Sequence, residues 1–441
     1  MHRRSFLQAA SAGVTATLVS TLAGCARPIT GHITPAPSPV LPGMLFATGI
    51  ENSYPRIAGG TRVNQMDTSG HTIRWRDDFE LAQGIGVNAL RFGPAWYRTN
   101  PAPGCYDWSS ADEQMLWLRN SGIMVIADLC HFGTPDWIGG FQDPSLPVHF
   151  AEYARAFARR YPWVRHFTPV NEIFVAANFS AMLGWWNECA SDGVSFARAL
   201  RHLSLAHEMA VDAIVAERPD AIIVQVESVE AFQPADLSSA AVGHARFWND
   251  ARFAALDLTL GRVPATSVRE LLAEAGMSTA DYAYLRQPRA VGRRWLGVDY
   301  YVTSEQSVRA DGSKVPANRR LGLASLAGTY HARYGLPLFI SETSRVASHA
   351  LEWLDEQWAE MGQLAAHGVP VRGFTWFPLI DTTDWGHALR VVRGDVDPIG
   401  LHRIDRSPHP VAGAFAALIG SMSHRRFQTS QHTVRAQYRA G

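Results

Sequence analysis

Glu172 follows a short apolar run and sits beside Asn171, and Glu342 directly follows another. Splitting the acetal between two sugars needs a proton for the leaving oxygen and a partner for the oxocarbenium-like carbon, and two carboxyl groups facing one another across the bond supply both. The neighbours suit that chemistry. Asn171 can hydrogen-bond a sugar hydroxyl, Arg91 can hold Glu342 ionised through charge and forked hydrogen bonds, and Tyr301 can donate to it. This division makes Glu342 the nucleophile and Glu172, with a raised pKa, the acid/base. No His-Glu-x-x-His spacing and no glycine-rich phosphate loop is present, so the expectation is no metal and no cofactor.

Something must bring residues 170 positions apart together. Short apolar runs, each bounded by turn or polar residues, read as strands at 44–49, 89–92, 124–129, 166–170, 222–226, 296–301, 338–341 and 373–376. Helical periodicity fills the gaps at 79–84, 111–120, 150–160, 196–217, 323–334 and 350–367. Strands alternating with helices in this way predict one (β/α)8 barrel over residues 44–420, with no second domain. The stretch 233–295 reads as helices plus a long loop of the kind that builds a substrate cleft.

In such a barrel the residues at the C-terminal strand ends face the active site. They are Arg91, His131, Asn171 with Glu172, Glu227 and Glu230, Asp299 with Tyr300 and Tyr301, Glu342, and Trp376 with Asp381 and Asp384. Glu227 and Glu230 read equally as substrate-binding or structural. Trp185 and Trp186 could stack on a sugar, but core packing is the expectation. His71 and Arg74 are expected to cap the first helix.

These residues lie in segments that resemble family-1 glycoside hydrolases, from about residue 45 to 419. Phe79-Glu80-Leu81-Ala82 through Gly84-Ile85-Gly86-Val87 into Arg91-Phe92, then Trp96-Tyr97-Arg98 and Pro101, is similar to the family's first helix and second strand. His131-Phe132-Gly133-Thr134-Pro135-Asp136-Trp137 resembles its His-Trp-Asp-Leu-Pro-Gln-Trp segment. Thr168-Pro169-Val170-Asn171-Glu172 resembles Thr-Phe-Asn-Glu, and Gly297-Val298-Asp299-Tyr300-Tyr301 resembles Gly-Ile-Asn-Tyr-Tyr. Ile340-Ser341-Glu342-Thr343-Ser344 resembles Ile-Thr-Glu-Asn-Gly. The resemblance implies a retaining β-glycosidase with Glu172 as acid/base and Glu342 as nucleophile. It also implies substrate contacts from Arg91, His131, Asn171, Tyr301, Trp376, Asp384 and Trp385.

The departures are informative. Ile173 replaces the Pro after the acid/base, Thr343-Ser344 replaces Asn-Gly, Phe132 replaces Trp, and Asp299 replaces Asn. The family's last Glu-Trp is matched by Asp384-Trp385 with one extra residue after Trp376, and its first-strand Gln aligns with either Glu51 or Asn52. The chemistry is thus expected to be retained and the glycone pocket altered. Two rivals stay open: a transglycosidase on the same scaffold, and a lipid-anchored carbohydrate-binding protein whose activity has decayed.

Forty basic and forty acidic residues balance, which leaves no field for nucleic acid and favours a neutral small-molecule or oligosaccharide glycoside as partner. Fourteen Trp supply flat faces for sugar rings as well as core. The first residues read as an address. Arg3-Arg4-Ser5-Phe6-Leu7 resembles a twin-arginine signal, and residues 9–23 form a small apolar run. Leu22-Ala23-Gly24-Cys25 resembles a lipobox, which makes Cys25 the lipidated residue and residues 1–25 the signal. Pro28, Pro35, Pro37, Pro39 and Pro42 make 26–43 a tether, and 421–441 reads as a tail. The expectation is an exported lipoprotein, periplasmic or at the cell surface, touching membrane only through its anchor. Cys105, Cys130 and Cys189 match no metal or disulfide framework, though one disulfide remains open, and the sequence does not set the oligomeric state.

Overall fold

The structure, a computed structural model, describes residues 43–422 apart from 288 and 290–292. The expectations for the signal, Cys25, the tether and the tail therefore lie outside the described residues, positions 43, 421 and 422 excepted.

The strands in chain order are β1 (Leu45–Gly49), β2 (Ala89–Arg91), β3 (Met124–Asp128), β4 (His166–Thr168), β5 (Ile222–Ser228), β6 (Ala231–Pro234), β7 (Arg294–Asp299), β8 (Glu305–Val308), β9 (Lys314–Pro316), β10 (Leu338–Glu342) and β11 (Val371–Thr375). Eight of them close a barrel in the order β1-β11-β10-β7-β5-β4-β3-β2, every pair parallel. Each of the eight runs expected from the sequence is one of these strands, and the chain is a (β/α)8 barrel.

Side chains alternate across each strand, and so divide the core in two. Leu45, Ala47, Ala89, Ile126, Ile222, Val224, Val226 and Phe339 fill the barrel interior. Their neighbours Phe46, Leu90, Val125, Ala127, Ile223 and Ile340 pack outward under the helices. Burying a side chain of this size contributes roughly 1.5–3 kcal/mol, so an alternation fixed by so many of them cannot slip by one residue.

The inward phase changes character at the C-terminal end of the strands. Two residues beyond Ala89, Ile126, Val226 and Phe339 come Arg91, Asp128, Ser228 and Ser341, all buried. A greasy plug thus carries a polar top layer, and the pleat aims that layer inward.

Three features depart from the sequence reading. β6, β8 and β9 form a separate three-stranded sheet, which the run pattern did not reveal because these short segments carry Glu, Gln, Ser and Pro. The stretch 233–295 is mostly helical, with helices Ser239–Ala251, Ala254–Thr259, Thr266–Glu274 and Thr279–Leu285. The first long helix starts at His71 and bends at Arg74, where φ/ψ is −105°/20°. His71 does not cap it: its Nδ1 lies 2.8 Å from Asp78, a carboxylate that also receives Arg406 Nε at 2.8 Å. Arg74 instead donates to Asp77 at 2.9 Å.

Candidate active site

Glu342 reaches the top of the barrel through a break in register. On β10, Phe339 and Ser341 hold the inward phase, which would send Glu342 outward. Ile340 pairs with Val298 but Glu342 pairs with Asp299, so two residues of β10 oppose one step of β7. Such a bulge re-aims the side chain beyond it. The result is that both carboxylate oxygens are held by donors. Arg91 Nη1 donates to Oε1, and the Tyr301 hydroxyl donates to Oε2 at 2.8 Å.

Arg91 is the hub of the site. It is 1% exposed, and Nη2 donates to Asn171 Oδ1 at 2.8 Å and to Asp128 Oδ2 at 3.2 Å. Its face lies 5.4 Å from the Phe377 ring centroid. Burial opposes its charge, but Glu342, Asp128 and Asp299 together push its pKa up.

Glu172 is positioned differently. Beyond β4 the chain turns through the left-handed region, with Glu172 at φ 41° and ψ 64°. A non-glycine residue held there stores about 1–3 kcal/mol of strain, which surrounding contacts must hold in place. Glu227 supplies them: its Oε1 accepts the N–H of Ile173 at 3.1 Å and its Oε2 that of Phe174 at 3.2 Å. Burial, then the charges of Asp299 and Glu342, hold the Glu172 pKa well above the carboxylate range.

His131 lies between two acids, with Nδ1 2.8 Å from Asp128 and Nε2 3.5 Å from Glu51. Burial works against the imidazolium, but Glu51 and Asp128 outweigh it and push the pKa up to about 9. Asn171 Nδ2 is 3.4 Å from the same Nε2. Glu51 faces His131, whereas Asn52 turns its amide towards the backbone oxygens of Gly93 and Asp128.

Arg91, His131, Asn171, Glu172, Tyr301 and Glu342 are therefore gathered at one end of the barrel. Trp376 is not among them. It continues the outward phase of β11, is fully buried, and donates its indole N–H to Ile399 O at 3.0 Å. The ring that faces the site is the next one, Phe377, stacked at 8° and 6.0 Å on His131. It leaves no room for a side chain at Gly49, where a Cβ would lie 2.4 Å from it. Asp384 is also otherwise engaged, since its two oxygens accept the N–H groups of Arg393, Gly394 and Asp395 at 3.0–3.1 Å and pin the loop. Trp385 does lie on the site's aromatic wall, 6.1 Å from Phe132 and 5.8 Å from Trp186, and its indole N–H is buried without a partner.

Asp128 and Phe377 were missed as site residues, and Glu51 was named only as one of two alternatives. Asp128 and Phe377 carried a signal, an acid in the inward phase two places after Ile126 and a ring two places past β11. Among the rest, Glu227 is a structural cap, Trp186 is core with its N–H on Ala388 O, and Glu230 is buried with its pKa pushed up by burial to about 7. Cys105, Cys130 and Cys189 are free. Among the described residues no group of His, Cys, Asp and Glu has the arrangement of a metal site.

The family model for glycosyl hydrolase family 1 matches residues 56–331. A bifunctional β-D-glucosidase/β-D-fucosidase of Bifidobacterium breve is 29% identical over 190 residues, 36% of this chain and 41% of that protein. A β-glucosidase of Agrobacterium sp. is 24% identical over 364 residues, 73% of this chain and 78% of the relative. The chain thus spans less than half of the first relative and about three quarters of the second. Among solved structures, a β-glucosidase of Thermotoga maritima aligns with a TM-score of 0.73 at 19% identity, covering 87% of this chain and 98% of the other. That likeness is one of fold.

Proposed function

The chain belongs to glycosyl hydrolase family 1, and from that premise we propose that it cleaves a β-linked glycoside with retention of configuration. The observation that carries the reading is the asymmetry of its two glutamates. Glu342 is gripped on both oxygens by Arg91 and Tyr301, whereas Glu172 is buried and driven towards its protonated form. A pinned carboxylate suits attack, and a carboxyl that keeps its proton suits donation.

In the first step Glu342 attacks the anomeric carbon as Glu172 gives its proton to the departing oxygen, leaving a glycosyl ester on Glu342. In the second, Glu172 takes a proton from water, the hydroxide attacks the same carbon, and Glu342 leaves as carboxylate. Arg91 and Tyr301 stabilise that returning charge. Asn171, His131, Glu51 and Trp385 are placed to meet the glycone's hydroxyls, and Phe377 to support the pocket floor.

The test is turnover of aryl β- and α-glycosides by the wild type, Glu172→Gln and Glu342→Ala. One β-glycoside cleaved by the wild type and by neither variant supports the reading, and NMR of the first-formed sugar reads the anomer. An inverted product would overturn retention. Added alcohol separates hydrolysis from transfer.

Export and anchoring at Cys25 are part of the same proposal, supported by the order of the twin-arginine and lipobox-like segments. Cys25→Ala should abolish palmitate labelling and release the protein from membranes.

A further inference from the structure

A pocket that shares no residue with the catalytic candidates opens on the outside of the barrel. Its wall comes from the helices Gln65–Thr68, Trp96–Thr99 and Ser109–Ser121 and from the start of the long helix at His71. It encloses about 610 Å3 of space, part of it open to solvent, which lies within the range of about 300–1,000 Å3 that takes small molecules.

Three polar side chains in that wall make no hydrogen bond into it among the described residues. His71 is completely buried, and its Nε2 has no partner. Its Nδ1 faces Asp78, which Arg406 holds as a carboxylate through Nε at 2.8 Å and Nη2 at 3.0 Å. The proton therefore sits on Nδ1, and Nε2 is left as an acceptor in the neutral ring. Gln114 and Thr99 are 7% and 3% exposed, and neither the amide nor the hydroxyl is bonded. Buried polar groups are almost always paired, and three that front one open space call for a common partner.

The charges around the pocket select that partner. Arg98 is committed to Asp67, donating to its two oxygens at 2.6 and 2.7 Å. Asp107 at the rim accepts from Ser109, and those hydrogen bonds hold its pKa below the usual carboxylate range. An anion would thus meet a negative rim and no free cation among the described residues. Met66, Pro94 and Ala95 complete the wall with an apolar surface. A lining with donors and acceptors on one part and apolar groups on another matches a ring that carries hydroxyls on its edge and C–H groups on its face.

We propose that this pocket is a second carbohydrate site, which binds a neutral pyranose through Gln114, Thr99 and His71 Nε2 and rests its C–H face on Met66, Pro94 and Ala95. The site is separate from the two glutamates and does not depend on the glycosidase reading.

Met66 gives a local readout. The full chain labelled with carbon-13 at its methionine methyls, with Met66→Leu as the assignment control, is titrated with D-glucose, D-galactose and D-xylose, and separately with inorganic phosphate. The Met66 signal should shift and saturate with at least one sugar and stay still with phosphate. Gln114→Leu should weaken that sugar about tenfold or more while leaving turnover of an aryl β-glycoside unchanged. A Met66 signal that no sugar moves would mean that the pocket holds water only and would overturn the proposal. So would a shift with phosphate alone, or an affinity unaltered in Gln114→Leu. Should that variant not fold, Thr99→Val keeps the shape and removes one hydroxyl, and an unaltered affinity there is equally fatal. If the wild type cleaves no glycoside, the glycosidase reading fails on its own and the Met66 titration still decides this site.

Discussion

The Glu227 carboxylate accepts the backbone N–H of Ile173 at 3.1 Å, one residue past Glu172, and so fastens the turn that carries the proposed acid/base. Without it, two buried N–H groups lose their acceptor and the strained φ of Glu172 loses its support. Glu227→Ala should lower kcat on the order of 10²-fold, the effect of misplacing a reacting group by about 1 Å. It should also cost about 1–3 kcal/mol of stability. Steady-state kinetics and a thermal melt on one preparation check both, and an unaltered kcat would show that the turn holds without Glu227.

Asp384 and the glycone offer a contrasting case. Because its oxygens hold three loop N–H groups, Asp384→Ala should lower Tm and open residues 384–395 to limited proteolysis. A rise in KM of more than about tenfold with an unchanged Tm would instead assign Asp384 to sugar hydroxyls.

Trp376 and Phe377 are adjacent, yet their substitution should read out on different scales. Trp376→Ala removes a fully buried indole and should cost about 3–5 kcal/mol. Phe377→Leu keeps most of the volume but removes the ring stacked on His131 and facing Arg91, so its effect should fall on kcat more than on Tm. Equal losses of stability in the two variants would refute the assignment of Phe377 to the site.

The pH dependence of stability has a definite sign. His131 is pushed up to about 9 in the folded chain, so the stability it contributes is fully present below its unfolded value near 6.5 and is lost as pH rises through about 9. The shift corresponds to a contribution of order 3 kcal/mol. Glu227, raised by burial to about 8, and Glu230, raised by burial to about 7, act in the same direction from about pH 4.5 upward. Urea midpoints should therefore fall between pH 6.5 and 9, and His131→Gln should flatten that part of the slope. An equal slope in the variant would place the titrating group elsewhere.

The sequence by itself determined the barrel and singled out the two glutamates proposed for catalysis. A run such as Leu338–Ile340 is apolar on both faces, as suits a strand covered inside and out, and eight short runs at helical intervals admit few other folds. Glu172 and Glu342 were legible as candidates because each lies within two residues of the end of a strand run. What tertiary structure alone decided is the direction and engagement of each side chain at the rim. The bulge before Glu342, the ring turned in at Phe377 and away at Trp376, and the loop N–H groups that claim Asp384 are all set by register and by long-range partners. Strand periodicity is a local property and carries the fold. Past the last paired residue the backbone no longer repeats, and which atom faces the substrate depends on what the neighbouring strands bring to meet it.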